Sequence, residues 1–183
     1  LLTFLPTHED SCLILTDTHY GGIPARPHAD GIDGSAWKDG VQINSIEDIE
    51  HRAPIRIDSR LSIADSGGQG TFRGGNATAT VYQFTQQGNV SISDDRQNGH
   101  PWGLFGGTPG ARSNKYLTKK GGEREELASK SEHVAVFPGD RLTYNSPGTG
   151  GWGDPLQRSI ESVREDVARG LVSTQSAKED YGV

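Results

Sequence analysis

Cysteine, methionine and long apolar runs are nearly or wholly absent from this 183-residue sequence. The single cysteine, Cys12, excludes an internal disulfide and a cysteine-based zinc site. It stands in the apolar run Ser11–Leu15, so we interpret it as a small buried residue rather than a nucleophile. No apolar run approaches the roughly 20 residues of a membrane-spanning helix. Because the sequence lacks methionine and begins at Leu1, we expect it to be a piece of a longer protein.

Positive charge is also in short supply. There are 18 basic and 24 acidic residues, the net charge is −6, and no basic run occurs. We therefore expect neither nucleic acid nor an anionic membrane surface as a partner. Hydrophobic residues make up a low 32%, but the Trp, Tyr and Phe residues lie in strand-like segments, which is unlike a disordered chain. The composition indicates a loop-rich β protein.

Glycine, in contrast, is abundant, with 25 residues. It concentrates in three blocks, at residues 65–75, 98–110 and 146–155. The first block joins two strand-like segments and predicts a shaped turn, in which positive φ or a close backbone approach requires glycine. Asp65 and Arg73 are its only charged residues. The chain is organised around this turn.

Alternating apolar residues predict strands through most of the chain. Ile55, Ile57, Leu61 and Ile63 share one phase of a two-residue period, which predicts a half-buried strand bent around Asp58–Ser59. Between residues 21 and 40, glycine, proline and aspartate predict a long irregular loop.

Turn signals predict two hairpins. Gln87–Asn89 separates two strand-like segments, and Pro138–Asp140 separates another pair. The charged stretch 112–132 is expected to be exposed, with Tyr116 and Leu117 as its anchors.

Helix signals are concentrated at the C-terminus. Ser159 is a predicted N-cap of a helix that ends at Gly170, and Ser173 caps a second helix that ends at Gly182. We expect this pair to lie on the sheet. The predicted fold is mainly β (α+β). It is one domain over residues 1–183, with a glycine-rich β-sandwich or barrel-like body at 1–155 and a helical tail at 156–183.

Candidate substrate-binding residues come from the glycine blocks: Asp65, Gly67, Gly68, Arg73, Trp102, Gly106 and Gly107. Backbone amides of the first block could cradle a phosphate, but the block lacks the Lys-Ser/Thr ending of a phosphate-binding loop and opens no helix. Arg73 either supplies a fixed cation to an anionic intermediate or pairs with Asp65 to hold the turn, and we favour the pairing. No catalytic residue can be assigned from the sequence.

The aromatic residues of the glycine blocks also allow two interpretations. Trp102, Phe105 and Trp152 either line a substrate cavity or fill gaps in a loop-rich core, and we expect them to pack against the body. A metal site is not predicted. His19, His28, Asp30 and Asp33 lack a spacing that would aim two ligands at one ion.

The order of the glycine motifs is more specific than any one of them. Four motifs follow one another along the chain: Asp65-Ser66-Gly67-Gly68-x-Gly70-x-x-Arg73-Gly74-Gly75, Trp102-Gly103-Leu104-Phe105-Gly106-Gly107, Gly148-x-Gly150-Gly151-Trp152-Gly153-Asp154-Pro155 and the closing segment 166–183. With this series the chain resembles the C-terminal part of the hydantoinase B / 5-oxoprolinase family, which includes the large subunits of acetone and acetophenone carboxylases.

The resemblance implies an ATP-dependent system. A hydantoinase-A-like subunit phosphorylates a carbonyl or enol oxygen, and the B-type subunit completes the ring opening of 5-oxoproline or a hydantoin, or carboxylates a ketone. It implies ATP and a divalent metal in the whole assembly, with the metal ligands in an N-terminal portion of the B-type subunit. We therefore expect a cytoplasmic hetero-oligomer, in which this chain alone binds no cofactor and is inactive.

A second hypothesis belongs to a different class of protein. Asp, Asn and Trp on glycine-rich loops are also compatible with a stand-alone β-rich carbohydrate- or ligand-binding module without catalysis. The two hypotheses differ in whether the chain needs a large partner.

Overall fold

A computed structural model describes residues 1–7, 13–35 and 43–183. The predicted burial of Cys12 therefore falls outside the described residues. The described strands form two antiparallel sheets and one short hairpin. The first sheet has the order β10-β7-β1-β2, with β1 at Leu2–Pro6, β2 at Leu15–Asp17, β7 at Gly88–Ser93 and β10 at Lys130–Val136.

The second sheet has five strands in the order β5-β6-β11-β8-β9. They are β5 at Ile55–Ser62, β6 at Thr78–Phe84, β8 at Asn114–Thr118, β9 at Arg124–Glu126 and β11 at Arg141–Asn145. The short hairpin pairs β3 at Gly22–Ile23 with β4 at Ile32–Asp33. It lies inside the predicted loop at 21–40, of which the structure describes residues 21–35.

The two sheets share one apolar core. Phe4 and Val90 from the first sheet lie in the same buried cluster as Phe84, Leu117 and Leu142 from the second. The rings of Phe4 and Phe84 are 5.3 Å apart between centroids. Neither sheet closes into a barrel. The predicted mainly β, α+β class is confirmed, and of its two architectures the sandwich is observed.

The predicted bend in β5 is present as a bulge. The register against β6 shifts between Ile57 and Ser59, so two residues of β5 oppose one partner there. Ile55 and Ile57 are buried, but Leu61, beyond the bulge, is 65% exposed. The extra residue turns the later side chains to the other face, which the simple two-residue period could not foresee.

The two predicted hairpins are wrong. The turn at Pro138–Asp140 is present, but Gly88 and Asn89 are the first residues of β7, and the chain bends before them, at residues 85–86. β6 and β7 belong to different sheets, and so do β10 and β11. Gly139 has φ +95°, and Asp140 N donates to Phe137 O, as expected of a tight turn. A turn signal fixes a local reversal, but here each reversal carries the chain from one layer of the sandwich to the other.

A short helix, α1 at Ile46–Arg52, was not predicted. The side chain of Ser45 caps it by accepting from Asp48 N, and Glu47 and Asp48 provide negative charge in its first turn. Its buried residue Ile49 joins the main core. The Ser45 cap and the acidic first turn were the signals that could have revealed it.

The helical tail is confirmed with its caps. α2 spans Ile160–Ala168 after Ser159, and α3 spans Thr174–Glu179 after Ser173. Gly170 and Gly182 both have φ +71°, the left-handed geometry of a helix C-terminus. Within the described ranges, none of the helices has the length and apolar character needed to cross a membrane.

The tail differs from the prediction in where it attaches. Val163, Val172, Ala177 and Tyr181 form an apolar cluster of their own, apart from the sandwich core. The Leu171 carbonyl accepts from the Asp65 amide at 3.2 Å and from Asn76 Nδ2 at 2.9 Å. The tail is therefore fastened to the first glycine block rather than laid on a sheet.

Candidate functional site

The three glycine-rich segments 65–76, 101–111 and 146–154 pack against one another, and we call them the glycine mesh. Gly68 N donates to Thr149 O at 2.8 Å, Thr108 N to Gln69 O at 2.8 Å, and Gly151 N to Thr108 O at 3.0 Å. Each of the three segments is thus bonded through its backbone to another. The mesh is an irregular layer of loops that is held together by main-chain hydrogen bonds.

Close approach of backbones explains why the mesh needs glycine. A Cβ atom placed on Gly74 would lie 2.0 Å from Thr149 O, and one on Gly150 would lie 1.9 Å from Trp102 O. Such distances are impossible for a side chain. None of the glycines between 67 and 75 has φ in the left-handed region. Of the two reasons predicted for glycine here, close approach is confirmed and positive φ is wrong.

The mesh amides are engaged within the protein. Gly67 N donates to Asn76 Oδ1 at 2.7 Å, and Gly74 N donates to Gly68 O at 2.8 Å. Because a phosphate cradle needs amides that point at the ligand, these two amides are not oriented to serve in one.

On the tail side of the mesh, Arg73 is buried in a network of charges. Its Nη1 donates to Asp33 Oδ1 at 3.0 Å and to Gly74 O at 2.7 Å, and its Nε lies 3.6 Å from Asp166 Oδ2. The predicted partner, Asp65, instead accepts from Ser173 N at 2.8 Å. The favoured pairing with Asp65 is therefore wrong: Arg73 pairs with Asp33 and Asp166, which lie far from it in the sequence.

Arg158 completes this network. It donates two hydrogen bonds to the Asp30 carboxylate, at 2.6 and 2.8 Å, and one to Asp166 at 2.7 Å. Burial alone would raise the pKa of Asp30, but the Arg158 hydrogen bonds and charge hold that pKa below its ordinary value. These residues line a cavity of about 270 Å³. Asp30 and Asp33 thus serve as anions for two arginines rather than as metal ligands.

A larger cleft, of about 590 Å³, borders the mesh at Trp102 and Thr149. Its other walls come from the segment that follows β2, including His19 and Gly22, and from residues 93–96 after β7. We call this border the cleft side. Clefts with a few converging polar groups are the usual place for small-molecule binding.

The mesh aromatics are more exposed than predicted. Trp102 is 68% and Phe105 75% exposed, so neither fills a gap in the core. The Trp102 ring lies 5.0 Å from the Arg96 guanidinium carbon, and the Phe105 ring lies 4.3 Å from the Trp152 ring. We expected these aromatic side chains to pack against the body, but it is the backbone of the segment that packs closely.

Beneath the cleft lies a buried polar network that the sequence reasoning missed. The Tyr82 hydroxyl is 2.5 Å from Asp17 Oδ2 and 2.6 Å from His19 Nε2. Asp17 also accepts from Arg60 Nη2 at 2.8 Å. The His19 ring stacks on Tyr144, with centroids 4.0 Å apart. His19 is the residue that belongs to both this network and the cleft lining.

The hydrogen-bond pattern assigns the tautomer of His19. A carboxylate can only accept, so the Tyr82 hydroxyl donates its proton to Asp17. His19 Nε2 must then be the N–H that donates to the Tyr82 oxygen. Burial lowers the pKa of His19 to about 4, and the Asp17 charge only partly offsets this. The imidazole is therefore neutral near pH 7, with Nδ1 as its basic nitrogen.

A second buried pair stands next to this network. Lys115, within the stretch predicted to be exposed, is fully buried and donates to Asp94 and, at 3.0 Å, to Gln97. Burial alone would raise the pKa of Asp94, but the hydrogen bonds from Lys115 and Ser113 lower it overall. Two-residue spacing places Lys115 on the same strand face as buried Leu117, and that alternation was the available signal.

The seven candidate residues are thus distributed over different places. Gly67, Gly68 and Gly107 lie inside the mesh, and Gly106, with φ +98°, makes the turn that closes through Gly107 N to Leu104 O. Asp65 and Arg73 face the tail. Trp102 lines the cleft.

Metal binding was tested against the donors that the structure presents. Among residues 1–7, 13–35 and 43–183, no group of three or more His, Cys, Asp and Glu side chains is arranged to hold an ion. The described part of the chain therefore does not fit the divalent metal that the family resemblance implies for the whole assembly.

Comparison with known proteins identifies the family. A family model for hydantoinase B/oxoprolinase matches residues 2–155. The B component of a putative D-/L-hydantoinase of Pseudomonas sp. is 30% identical over 166 residues, which are 90% of this chain and 28% of that protein. An uncharacterized protein of Methanocaldococcus jannaschii, MJ0963, is 38% identical over 138 residues, which are 75% of this chain and 24% of that protein.

Solved structures agree on the fold. The ATP-dependent caprolactamase of Pseudomonas jessenii superposes with a TM-score of 0.84 at 24% identity and covers 100% of this chain and 33% of its own. Nucleotide-free acetone carboxylase gives a TM-score of 0.75 at 24% identity, over 89% of this chain and 26% of its own. The chain spans about a quarter of the length of the curated relatives above. By its family match, this chain belongs to the hydantoinase B/oxoprolinase family.

Proposed function

We propose that this chain is the C-terminal portion of a B-type subunit of an ATP-dependent enzyme that opens a cyclic amide, and that its cleft contributes to the substrate site. One observation carries the proposal: the family match over residues 2–155 includes the cleft residues His19, Trp102 and Thr149. A cleft of about 590 Å³ can hold a ring of the size of a hydantoin or a small lactam.

Ring opening is favoured over ketone carboxylation by the curated relatives. The relatives with printed activities include the B component of a putative hydantoinase, the beta chain of a caprolactamase at 32% identity, and 5-oxoprolinases. The likeness to acetone carboxylase is at 24% identity and supports only the fold. Carboxylation of a ketone therefore remains the second candidate, ahead of a stand-alone carbohydrate-binding module.

ATP, the divalent metal and the partner chains belong to the same proposal. Two relatives are named as the B or beta component of an enzyme with several subunits, which supports an assembly of several chains. The amides of Gly67, Gly68 and Gly74 donate to protein acceptors, so we assign ATP binding to a hydantoinase-A-like subunit. We assign the metal to an N-terminal portion of the B-type subunit.

The test compares the chain alone with the assembled enzyme. The full B-type protein carrying this sequence would be co-purified with its A-type partner and supplied with ATP, Mg²⁺ and 5-oxoproline, hydantoin or caprolactam. We expect phosphate release that depends on one of these cyclic amides in the assembly and none with the 183-residue chain. Turnover by the chain alone, or an assembly whose ATP hydrolysis responds only to a ketone and bicarbonate, would contradict the proposal.

A further inference from the structure

The buried network under the cleft is unusual for the core of a β-sandwich. Asp17 and Tyr82 are fully buried, and the His19 side chain is 3% exposed. Removing such groups from water is costly, and apolar residues of the same size would hold two sheets together at least as well. A buried polar network beside a cleft is therefore better explained by chemistry at the cleft than by stability.

The network holds one ring in one orientation. Its Nε2 is fixed by Tyr82, its face is fixed by Tyr144, and Tyr82 is in turn fixed by Asp17 and Arg60. This is the arrangement of a general base: a basic group, and behind it an oriented chain of hydrogen bonds ending in a carboxylate.

The acidic and cationic side chains of the cleft are less suited to accept a proton. Asp94 is occupied by buried Lys115, which keeps its pKa low. The Asp95 side chain is almost wholly exposed and lies 3.4 Å from Lys130. Arg96 is a permanent cation stacked near Trp102.

Two further residues with ionisable side chains line the cleft within the described ranges, His19 and Tyr20. Of an imidazole and a phenol, only the imidazole is a base in the neutral pH range. His19 is therefore the side chain of the cleft that is best suited to accept a proton.

We propose that His19 is a catalytic residue of this cleft, a proton acceptor for the water that attacks the carbonyl carbon of a bound cyclic amide. The inference deepens the proposed function and rests on it. In the proposed enzyme, ATP bound to the A-type subunit supplies a phosphoryl group to the amide oxygen. As the water oxygen forms its bond to the carbon of this phosphorylated amide, Nδ1 of His19 takes one proton from that water. The ring C–N bond then breaks and leaves an acyl phosphate, and both protons of the water end on the leaving nitrogen, one of them by way of Nδ1, so His19 ends neutral. A second water hydrolyses the acyl phosphate to carboxylate and inorganic phosphate.

The charges around His19 set the pH range of this step. Asp17, Tyr82, Arg60, Tyr144 and Asp94 are the titratable or charged groups near the ring. Burial opposes protonation of the ring in the resting state. A base of this kind is active over the whole neutral range and is lost only in acid.

The first experiment reads the arrangement directly in the 183-residue chain. Long-range ¹H–¹⁵N NMR of the imidazoles should show His19 neutral with the proton on Nε2 between about pH 5 and 8. Addition of 2-pyrrolidinone, a small lactam, should shift the signals of His19 Nδ1 and the Trp102 indole but not those of His51. A protonated His19 at about pH 6.5, a proton on Nδ1, or lactam-insensitive signals would overturn the inference.

The second experiment measures turnover of the assembled enzyme. We expect His19→Gln to lower kcat by about 100-fold or more with little change in KM, since the general base is lost while the cleft keeps its shape. Tyr82→Phe should lower kcat less and move the acidic limb of the pH profile upward, because Asp17 can then pair with the imidazolium. His51→Gln, the same change at an exposed helix position, is the matched control and should retain full kcat.

The outcomes separate the two proposals. If the wild-type assembly opens no cyclic amide, the proposed function fails, and the NMR experiment still decides whether His19 is a neutral acceptor at a lactam-binding cleft. If the wild-type assembly is active and His19→Gln retains its kcat, the proposed function stands and the role of His19 is refuted.

Discussion

The two sides of the glycine mesh bury charge in different ways. On the tail side, Arg73 and Arg158 meet Asp30, Asp33 and Asp166, so cations and anions neutralise one another over short distances. On the cleft side, a neutral histidine is held in one tautomer by Tyr82 and Asp17. The first arrangement fastens the helical tail, and the second leaves one basic nitrogen ready to accept a proton. Buried charged groups therefore do not by themselves identify a functional site. What distinguishes the cleft side is a neutral histidine held in one tautomer.

The largest expected effect comes from breaking the mesh that both sides share. Gly74→Ala places a Cβ atom 2.0 Å from Thr149 O and cannot be accommodated without moving two backbones. We expect a loss of about 3 kcal/mol or more in the free energy of unfolding, measured by urea denaturation. Gly99→Ala, where nothing lies within 4 Å of the new atom, is the control and should change stability by less than about 1 kcal/mol. Equal stabilities for the two variants would show that the mesh is not tightly packed.

Removal of a cation from the tail side comes next. Arg158→Met leaves Asp30 and Asp166 without their shared partner, and Asp166 is buried. We expect the free energy of unfolding to fall by about 2–3 kcal/mol. This is at or below the low end of the range for breaking a buried ion pair, because Asp30 is partly exposed. Arg169→Met removes an exposed ion pair with Glu165 and should cost less than about 1 kcal/mol. If both arginines cost the same in thermal denaturation, the tail-side network does not fasten the tail.

These two comparisons also show what the sequence could and could not reveal. The sandwich class, the capped helix pair and the need for glycine in residues 65–75 follow from local rules: alternation, capping residues and glycine density. The pairing of Arg73 with Asp33 spans 40 residues, the pairing with Asp166 spans more, and both depend on how the mesh folds. Leu15, Asp17 and His19 are spaced two residues apart, in β2 and just after it. This spacing did not reveal the network at His19, because the partners Tyr82 and Arg60 come from strands that are distant in the sequence.

The cleft side and the tail side should lose stability in different pH ranges as the solution is acidified. His19 has a folded-state pKa of about 4, below its unfolded value of 6.5, so the unfolded chain binds more protons as the pH falls. Its contribution to stability is complete above pH 6.5 and is lost as the pH falls from 6.5 toward 4. We expect a slope of up to about 1.4 kcal/mol per pH unit in that window, reduced in His19→Gln, as measured by urea denaturation at several pH values.

The tail side should respond at lower pH. The pKa of Asp30 is held below its ordinary value of 3.8, so its stabilising effect is present above that value and is lost as the pH falls further. Arg158→Met should therefore leave the slope between pH 6.5 and 4 unchanged. A slope that disappears in Arg158→Met but persists in His19→Gln would reverse the assignment of the two sides.

The smallest effect on stability is expected at the exposed aromatics. Trp102→Ala should cost less than about 1 kcal/mol, since the ring is 68% exposed and its main partner is Arg96. It should nevertheless weaken the binding of 2-pyrrolidinone to the cleft, measured by NMR titration. Phe105→Ala removes an equally exposed ring that does not line the cleft, and it should leave lactam affinity unchanged.

The most direct test of the account compares one variant from each side in the assembled enzyme. Turnover per folded molecule and melting temperature would be measured for Arg73→Ala and His19→Gln. We predict that Arg73→Ala lowers the melting temperature and keeps turnover per folded molecule, because Arg73 is buried against Asp33 and Asp166. We predict that His19→Gln loses turnover per folded molecule by about 100-fold, a loss far larger than any change in the folded fraction. A stable Arg73→Ala enzyme without turnover, beside an active His19→Gln enzyme, would contradict the account.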